Sequence, residues 1–363
     1  MQYVINYFKK AGIGINGTRS WDIQVHNPKL YARIFKEGTL GLGESYMEKW
    51  WDCERLDLFF EKLLSLTANE HPNWQMLMTK LRAKLFNVQS LNNAKKSVQK
   101  HYDLGNDLYL SFLDPYNQYT CGYFENTSDL NEAQEKKLNL ICKKLQLKKE
   151  DSVLDIGCGW GGFAKYAAEH FGCHVTGISI SDEQIKYAKD FTKGLSITIE
   201  YMDYRNMTGK FDKIVCVGMF EHVGYKNYRL YMKKVASLLK DDGLFLLQTI
   251  GRNNTVTMAN PWIDKYIFPG GMLSSLKQIG EATENLLMLE DFHNFGLYYY
   301  QTLLAWEERF RKNCHSLSQE YDETFCRMWR YYLLSCAGSF KARHMHLWQI
   351  VFSKGKNMYV SIR

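Results

Sequence analysis

VLDIGCGWGGFAKYAAEHFG, residues 153–172, decides how this chain folds. An apolar run closes on Asp155, glycines crowd positions 157, 159, 161 and 162, and a helical pattern begins near Trp160. A strand, a tight glycine turn and a helix in that order let a ligand come close to the backbone at a helix start. The spacing is not the GxGxxG of a dinucleotide loop, whose helix cradles a pyrophosphate. Here an acidic residue precedes GxGxG, so the loop carries a different partner.

Outward from that loop, 174–179 (HVTGIS), 197–201 (ITIEY), 213–217 (KIVCV) and 244–250 (LFLLQTI) read as further buried strands. Helical stretches lie between most of them, which predicts an α/β fold with a doubly wound, Rossmann-like parallel sheet. Residues 346–354 and 358–362 read as two more strands around Gly355. The 251–345 segment between is helical and aromatic-rich, an insertion expected to cap the ligand crevice. Residues 1–90 read as a small helical domain running into a linker, and 91–363 as the catalytic domain.

Composition narrows the classes. The chain has 363 residues, 45% of them apolar and 23% charged, with five prolines, so it is neither disordered nor fibrous. Its nine cysteines form no CxxC pair or regular spacing, which favours reduced thiols over a disulfide framework and excludes a zinc-ligand pattern. The first residues, MQYVINYFKKAG, lack the apolar core of a secretory signal. No apolar run approaches the roughly 18 residues that a membrane span needs. Any membrane contact is therefore peripheral. Between His71 and Tyr102 there are six lysines and arginines and no acid, with Trp74, Leu77, Met78, Leu81, Leu85 and Val88 at helical spacing. Such a stretch fits an anionic membrane surface or, on the stripe alone more readily, a core-facing helix with a solvated side. No target-base motif or phosphate-tracking basic stripe points to nucleic acid.

The acid-GxGxG loop is the form of S-adenosylmethionine-dependent methyltransferases, which it resembles. In such a sheet the strand ends supply ligand contacts. Ser179 follows the second strand, with Gln184 in the next helical turn, and Asp203 and Tyr204 follow the third, placed to meet an adenine amino group and ring. Each also reads as a cap or turn residue. Glu221 and His222 follow the fourth strand in MFEHVG, where a carboxylate and an imidazole face the reacting centre or simply cap and fill. Gln248 and the Ile250 backbone follow in the fifth.

Longer motifs make the resemblance specific. GLGESYMEKWWDCERLD (41–57), HYDLGND (101–107), LDPYNQYTCGYF (113–124), VGMFEHVG (217–224), PWIDKYIFPGG (261–271), HNFGLYY (293–299) and YYLLSCAGSF (331–340) are similar to the cyclopropane-fatty-acyl-phospholipid synthases and their mycolic acid relatives. The resemblance implies methyl transfer to a cis double bond of a phospholipid acyl chain, with proton loss to a bound bicarbonate closing a cyclopropane. It assigns the bicarbonate site to the backbone of Cys121 and Ile250 and the side chains of Glu221 and Tyr299. Tyr102, Tyr119, Thr120, Gly157, Gly159, Ser179 and Gln184 match cofactor positions, and Cys336 matches a thiol near the acyl site. It further implies a cytoplasmic homodimer that meets the inner membrane from its surface.

One position departs from the family. A histidine is usual where this chain has Gln248, and an amide donates a hydrogen bond without carrying an imidazolium charge. The departure predicts weaker bicarbonate affinity. It also keeps open a methyl-branched, methylene or hydroxylated product. For the cation formed on the lipid, Tyr266, Phe268, Phe295, Tyr298, Tyr299 and Trp306 of the insertion are candidate ring faces, or ordinary core.

Overall fold

Residues 2–66, 105–314 and 321–363 are described by the computed structural model. The acid-free stretch 71–102, Tyr102 and the boundary expected near residue 90 lie largely or wholly outside them. The chain begins with α1 (Gln2–Lys10), β1 (Gln24–Val25), α2 (Leu30–Glu37), α3 (Thr39–Met47), β2 (Trp51–Asp52) and α4 (Leu56–Ser65). After α5 (Asn106–Leu110) and α6 (Leu130–Lys144) come β3 (Ser152–Ile156), α7 (Gly162–Phe171), β4 (His174–Ser179), α8 (Asp182–Phe191) and β5 (Ile197–Tyr201). There follow β6 (Phe211–Val217), α9 (Tyr228–Leu238), β7 (Leu239–Arg252), α10 (Pro261–Tyr266), β8 (Ser274–Ser275) and α11 (Leu276–Thr283). The order closes with β9 (Met288–Asn294), α12 (Gly296–Asn313), α13 (Glu323–Lys341) and β10 (His346–Ser353).

The main sheet runs β5-β4-β3-β6-β7-β10-β9, with β8 beside the end of β7. Strands β3 to β7 pair in parallel and β10 lies antiparallel between β7 and β9. This is the doubly wound α/β sheet that the alternating pattern predicts. The order reverses between β3 and β6, which opens the ligand crevice at their C-terminal ends. Helices α6 and α7 cover one face around Leu138, Ile141, Phe163 and Val175. Helices α9 and α11 cover the other around Tyr231, Val235, Phe245 and Ile279.

Two strand expectations are corrected. Residues 358–362 form no strand, and the edge beside β10 is filled instead by β9, from inside the segment read as helical. Its sequence, MLEDFHN, is largely polar and lies at the sheet edge, where only Asp291 is buried, so it lacks the continuous apolar run of a central strand. The expectation of reduced thiols rather than a disulfide framework meets one exception. Cys314 at the end of α12 and Cys326 in α13 are disulfide-bonded with Cα atoms 6.3 Å apart, while the other seven cysteines are free.

The early helices do not form a core of their own. Phe8, Trp51 and Phe59 share one apolar cluster with Trp306, Trp329 and Phe340 of α12 and α13. The ring of Phe60 meets Tyr331 edge-on at 5.3 Å. Helices α4, α12 and α13 are thereby set against the crevice side of the sheet.

Candidate active site

The loop after β3 builds the cofactor end. Gly157 has φ +85°, and a Cβ there would stand 2.6 Å from Met219, so both backbone and space demand glycine. A Cβ on Gly162, at the start of α7, would overlap the Tyr116 carbonyl oxygen. Around the loop lies a cavity of about 150 Å³ that gathers Tyr119, Thr120, Gly157, Gly159, Ser179, Gln184, Asp203 and Tyr204. Eight of the nine residues expected at the cofactor are thus brought together; Tyr102 lies outside the described residues. Ser179 Oγ donates to Gln184 Oε1 at 3.2 Å, and Asp203 Oδ1 accepts from the Arg205 N–H at 2.9 Å and from its Nε at 3.0 Å.

Sequence reading missed the buried polar layer beneath this loop. The Lys137 ammonium, wholly buried on α6, donates to Gln118 Oε1 and, at 3.0 Å, to Thr120 Oγ1. Gln134 Nε2 donates to the Thr120 carbonyl at 2.7 Å. Asp114 accepts from the Gln118 and Tyr116 N–H groups, both at 2.8 Å. Burial pulls Lys137 down to about 8 against the nearby Asp114, and burial pushes Asp155 up to about 7 although Lys137 opposes it. A signal was present: Gln134 and Lys137 occupy stripe positions with Leu130, Ala133, Leu138 and Ile141, where polar groups need partners. Asp155 Oδ2 is buried without a partner at the cavity wall, a polar atom left for a ligand to meet.

A second cavity, about 280 Å³, adjoins the first and shares Tyr119, Thr120, Gly218 and His222 with it. Its walls are mainly apolar and come from distant parts of the chain: Leu42, Phe60, Leu63 and Leu64 from the early helices, and Tyr299, Tyr331, Tyr332, Cys336 and Phe340 from α12 and α13. Glu221 and Ile250 line it as well. Glu221 Oε1 accepts the Ile250 N–H at 2.7 Å, and Oε2 is buried with no partner. Burial raises the Glu221 carboxyl and lowers the His222 imidazole to about 4. Tyr299 stacks on Phe340 at 4.5 Å, and burial holds its hydroxyl well above the ordinary tyrosine value. Cys336 is pushed up to about 12, so it stays a thiol rather than a nucleophile.

Two expected site residues are not among the residues lining either cavity. Cys121 is fully buried, its sulfur 3.8 Å from the Thr302 hydroxyl. Gln248 is 1% exposed in mid-strand, where its Oε1 accepts from Gln349 Nε2 at 2.9 Å. Its expected place at the crevice is corrected. Of the candidate ring faces, Phe268 and Tyr299 line the second cavity. Tyr266 and Tyr298 instead donate to Glu44 and Glu125, at 2.9 and 2.7 Å, and Trp306 stacks behind Tyr119 at 5.1 Å.

Known proteins resemble this chain in sequence and in fold. The family model described as mycolic acid cyclopropane synthetase matches residues 89–350. The cyclopropane-fatty-acyl-phospholipid synthase of Escherichia coli (strain K12) is 49% identical over 95% of this chain and 91% of its own length. The tuberculostearic acid methyltransferase UfaA1 of Mycobacterium tuberculosis is 30% identical over 94% of this chain and 86% of its own. Among solved structures, mycolic acid cyclopropane synthase CmaA1 complexed with SAH and CTAB superposes with a TM-score of 0.66 at 28% identity, covering 71% of this chain and 97% of that one. The glycine loop, the paired cavities and these matches together place the chain in the mycolic acid cyclopropane synthetase family, a family of S-adenosylmethionine-dependent methyltransferases.

Proposed function

We propose that this enzyme transfers the methyl of S-adenosylmethionine to a cis double bond of a phospholipid acyl chain and closes a cyclopropane ring there. The observation that carries the reading is the pair of adjoining cavities, one around the glycine loop and one mainly apolar, sharing Tyr119, Thr120, Gly218 and His222. When bound, S-adenosylmethionine supplies an electrophilic methyl on a sulfonium. The glycine loop, Ser179, Gln184 and Asp203 would hold it, and Asp155 would face its positive charge. The alkene π pair forms the new C–C bond as the C–S pair leaves with sulfur. Loss of a proton from the added methyl then lets its C–H pair close the ring, a net gain of CH2. Tyr299, Phe268 and Tyr332 offer ring faces to the cation and keep water away from it.

Bicarbonate fits as the proton acceptor through the unpartnered Glu221 Oε2, whose raised carboxyl is suited to take a proton onward, with the Tyr299 hydroxyl nearby in the same cavity. The Ile250 N–H is already held by Glu221, which leaves the Tyr299 hydroxyl as a donor to such an ion and Glu221 Oε2 as an acceptor for its O–H. The reading extends to contact with an anionic membrane surface through residues 71–102, a cytoplasmic location at the inner membrane and a homodimer. Among the described residues no helix is long and apolar enough to cross a membrane. Supplying the purified enzyme with methyl-labelled S-adenosylmethionine and dioleoyl phospholipid vesicles tests the activity. Ring-containing fatty acids are expected by chromatography and NMR, with turnover rising on added bicarbonate. No labelled lipid would sink the reading.

A second product class stays in view because UfaA1 is named a methyltransferase and Gln248, a neutral amide whose Oε1 is held by Gln349, lies outside the lining of both cavities. Methyl transfer without ring closure would give branched, methylene or hydroxylated chains, which the same NMR separates.

A further inference from the structure

Two charged side chains line the apolar cavity, and only Glu221 has been given work. The other is Arg252, the last residue of β7, half-buried and without a carboxylate partner among the described residues. Its Nη2 meets His344 Nε2, from the turn after α13. Burial lowers both groups, and the adjacent guanidinium also helps hold the imidazole near 4, so His344 is neutral and accepts the Arg252 hydrogen bond. The arginine is thereby aimed while its charge stays uncompensated. A guanidinium in an apolar wall calls for an anion, and its planar fork matches phosphate oxygens.

Position selects the anion. Arg252 lies two residues beyond Ile250, about 7 Å along the same strand and on the same face, away from the carboxylate that Ile250 holds. Thr39 and Asn260, which line the same cavity, are exposed, so the cavity reaches the surface. A lipid with its double bond at Glu221 would therefore carry its polar end past Arg252 on the way out. We propose that Arg252, oriented by His344, binds a phosphate oxyanion, that of the phospholipid's phosphodiester. This rests on the acyl-lipid reading above and adds the group that selects phospholipid over a neutral acylglycerol.

The test uses the full-length enzyme with detergent micelles of dioleoyl phosphatidylglycerol or of dioleoylglycerol, which share acyl chains and differ in the phosphate. The ratio of kcat/KM for the two lipids is measured for wild type, Arg252→Gln and Arg252→Lys, with and without inorganic phosphate. Binding of S-adenosylmethionine by calorimetry checks that each variant is folded. The expected result is a preference for the phospholipid that falls about tenfold in Arg252→Gln and partly returns in Arg252→Lys, with inorganic phosphate having no effect. An equal ratio in wild type and Arg252→Gln overturns the site alone. Inhibition of wild type but not Arg252→Gln by inorganic phosphate assigns the site to the free ion and overturns the headgroup. Turnover of neither lipid by wild type removes the acyl-lipid reading and this site with it.

Discussion

Glu221→Gln separates the chemistry of the proposed centre from its architecture. The carboxylate is almost fully buried, receives the Ile250 N–H at 2.7 Å and leaves Oε2 unpartnered. Its own carbonyl accepts the Met272 N–H at 2.8 Å, a contact the substitution does not touch. Glutamine has the same shape and keeps an acceptor for Ile250, so a charge-assisted bond becomes a neutral one, a loss of about 1 kcal/mol. Relief from burying a charge offsets that loss. The melting temperature should move by no more than roughly 4 °C. Activity should fall much further, by about 10²–10⁴-fold for loss of a positioned proton acceptor, or roughly 3–5 kcal/mol of barrier. Affinity for S-adenosylmethionine should hold, since Glu221 does not line the cofactor cavity. The pH dependence has a defined sign. Burial raises this carboxyl in the fold, so the stability it contributes is present below the ordinary carboxylate value and lost as pH rises through the raised one. As a base it must be ionised, so activity should climb over that same window, and the climb should vanish in the variant. A labelled-methyl assay run as a function of pH, upward from the ordinary carboxylate value, reads this. Turnover within about threefold of wild type, with the same pH profile, refutes the role of Glu221.

Three further outcomes follow from the geometry. Tyr299→Phe keeps the stack on Phe340 and removes only the hydroxyl, so turnover should drop about tenfold with unchanged cofactor affinity; equal turnover excludes the hydroxyl from the reaction. Lys137→Met strips the cation from Gln118, Thr120 and Asp155, and should cost about 3–5 kcal/mol in urea denaturation together with weaker S-adenosylmethionine binding; an unshifted midpoint would show that the buried layer does not depend on the charge. Gly162→Ala should weaken the protein by about 1–3 kcal/mol because the added methyl meets the Tyr116 carbonyl, whereas helix propensity alone predicts a gain of about 1 kcal/mol; the sign of the thermal shift decides.

What the sequence makes legible follows from how local each signal is. The strands β3, β4 and β6 and the glycine loop announce themselves because a buried parallel strand is a short apolar run and a sharp turn needs glycine, whereas β5, read as buried, is an edge strand with only Ile199 buried. Ser179, Gln184, Asp203 and Tyr204 follow from the strand-end rule once those strands are placed, and all line the cofactor cavity. The apolar cavity was not legible in the same way. Leu63 and Leu64 line one cavity with Tyr332 and Phe340 because α4 packs against α13, a contact spanning most of the chain. Strand β9 was hidden by its position at the sheet edge, where a polar sequence suffices. The Cys314–Cys326 bridge had no spacing motif to betray it.

The displacement of Gln248 and the prominence of Arg252 have one cause. Gly251 after an apolar run reads as a terminator, which ends the strand near Ile250 and puts Gln248 close to the crevice. In the fold β7 continues through Gly251, because β10 pairs along its full length, with His346 opposite Gly251 and Gln349 opposite Gln248. The glycine serves packing rather than turning, since a Cβ there would run into the Trp348 ring. The rule that ligands gather at the ends of parallel strands therefore holds, but the end lies farther along than the glycine indicates. Gln248 becomes an interior residue paired across the sheet, with its Nε2 and Gln349 Oε1 left unpartnered. Restoring a histidine there would place an imidazole against Gln349 before any ion, so its first effect falls on the sheet. The strand-end charge that the apolar cavity meets is the guanidinium of Arg252.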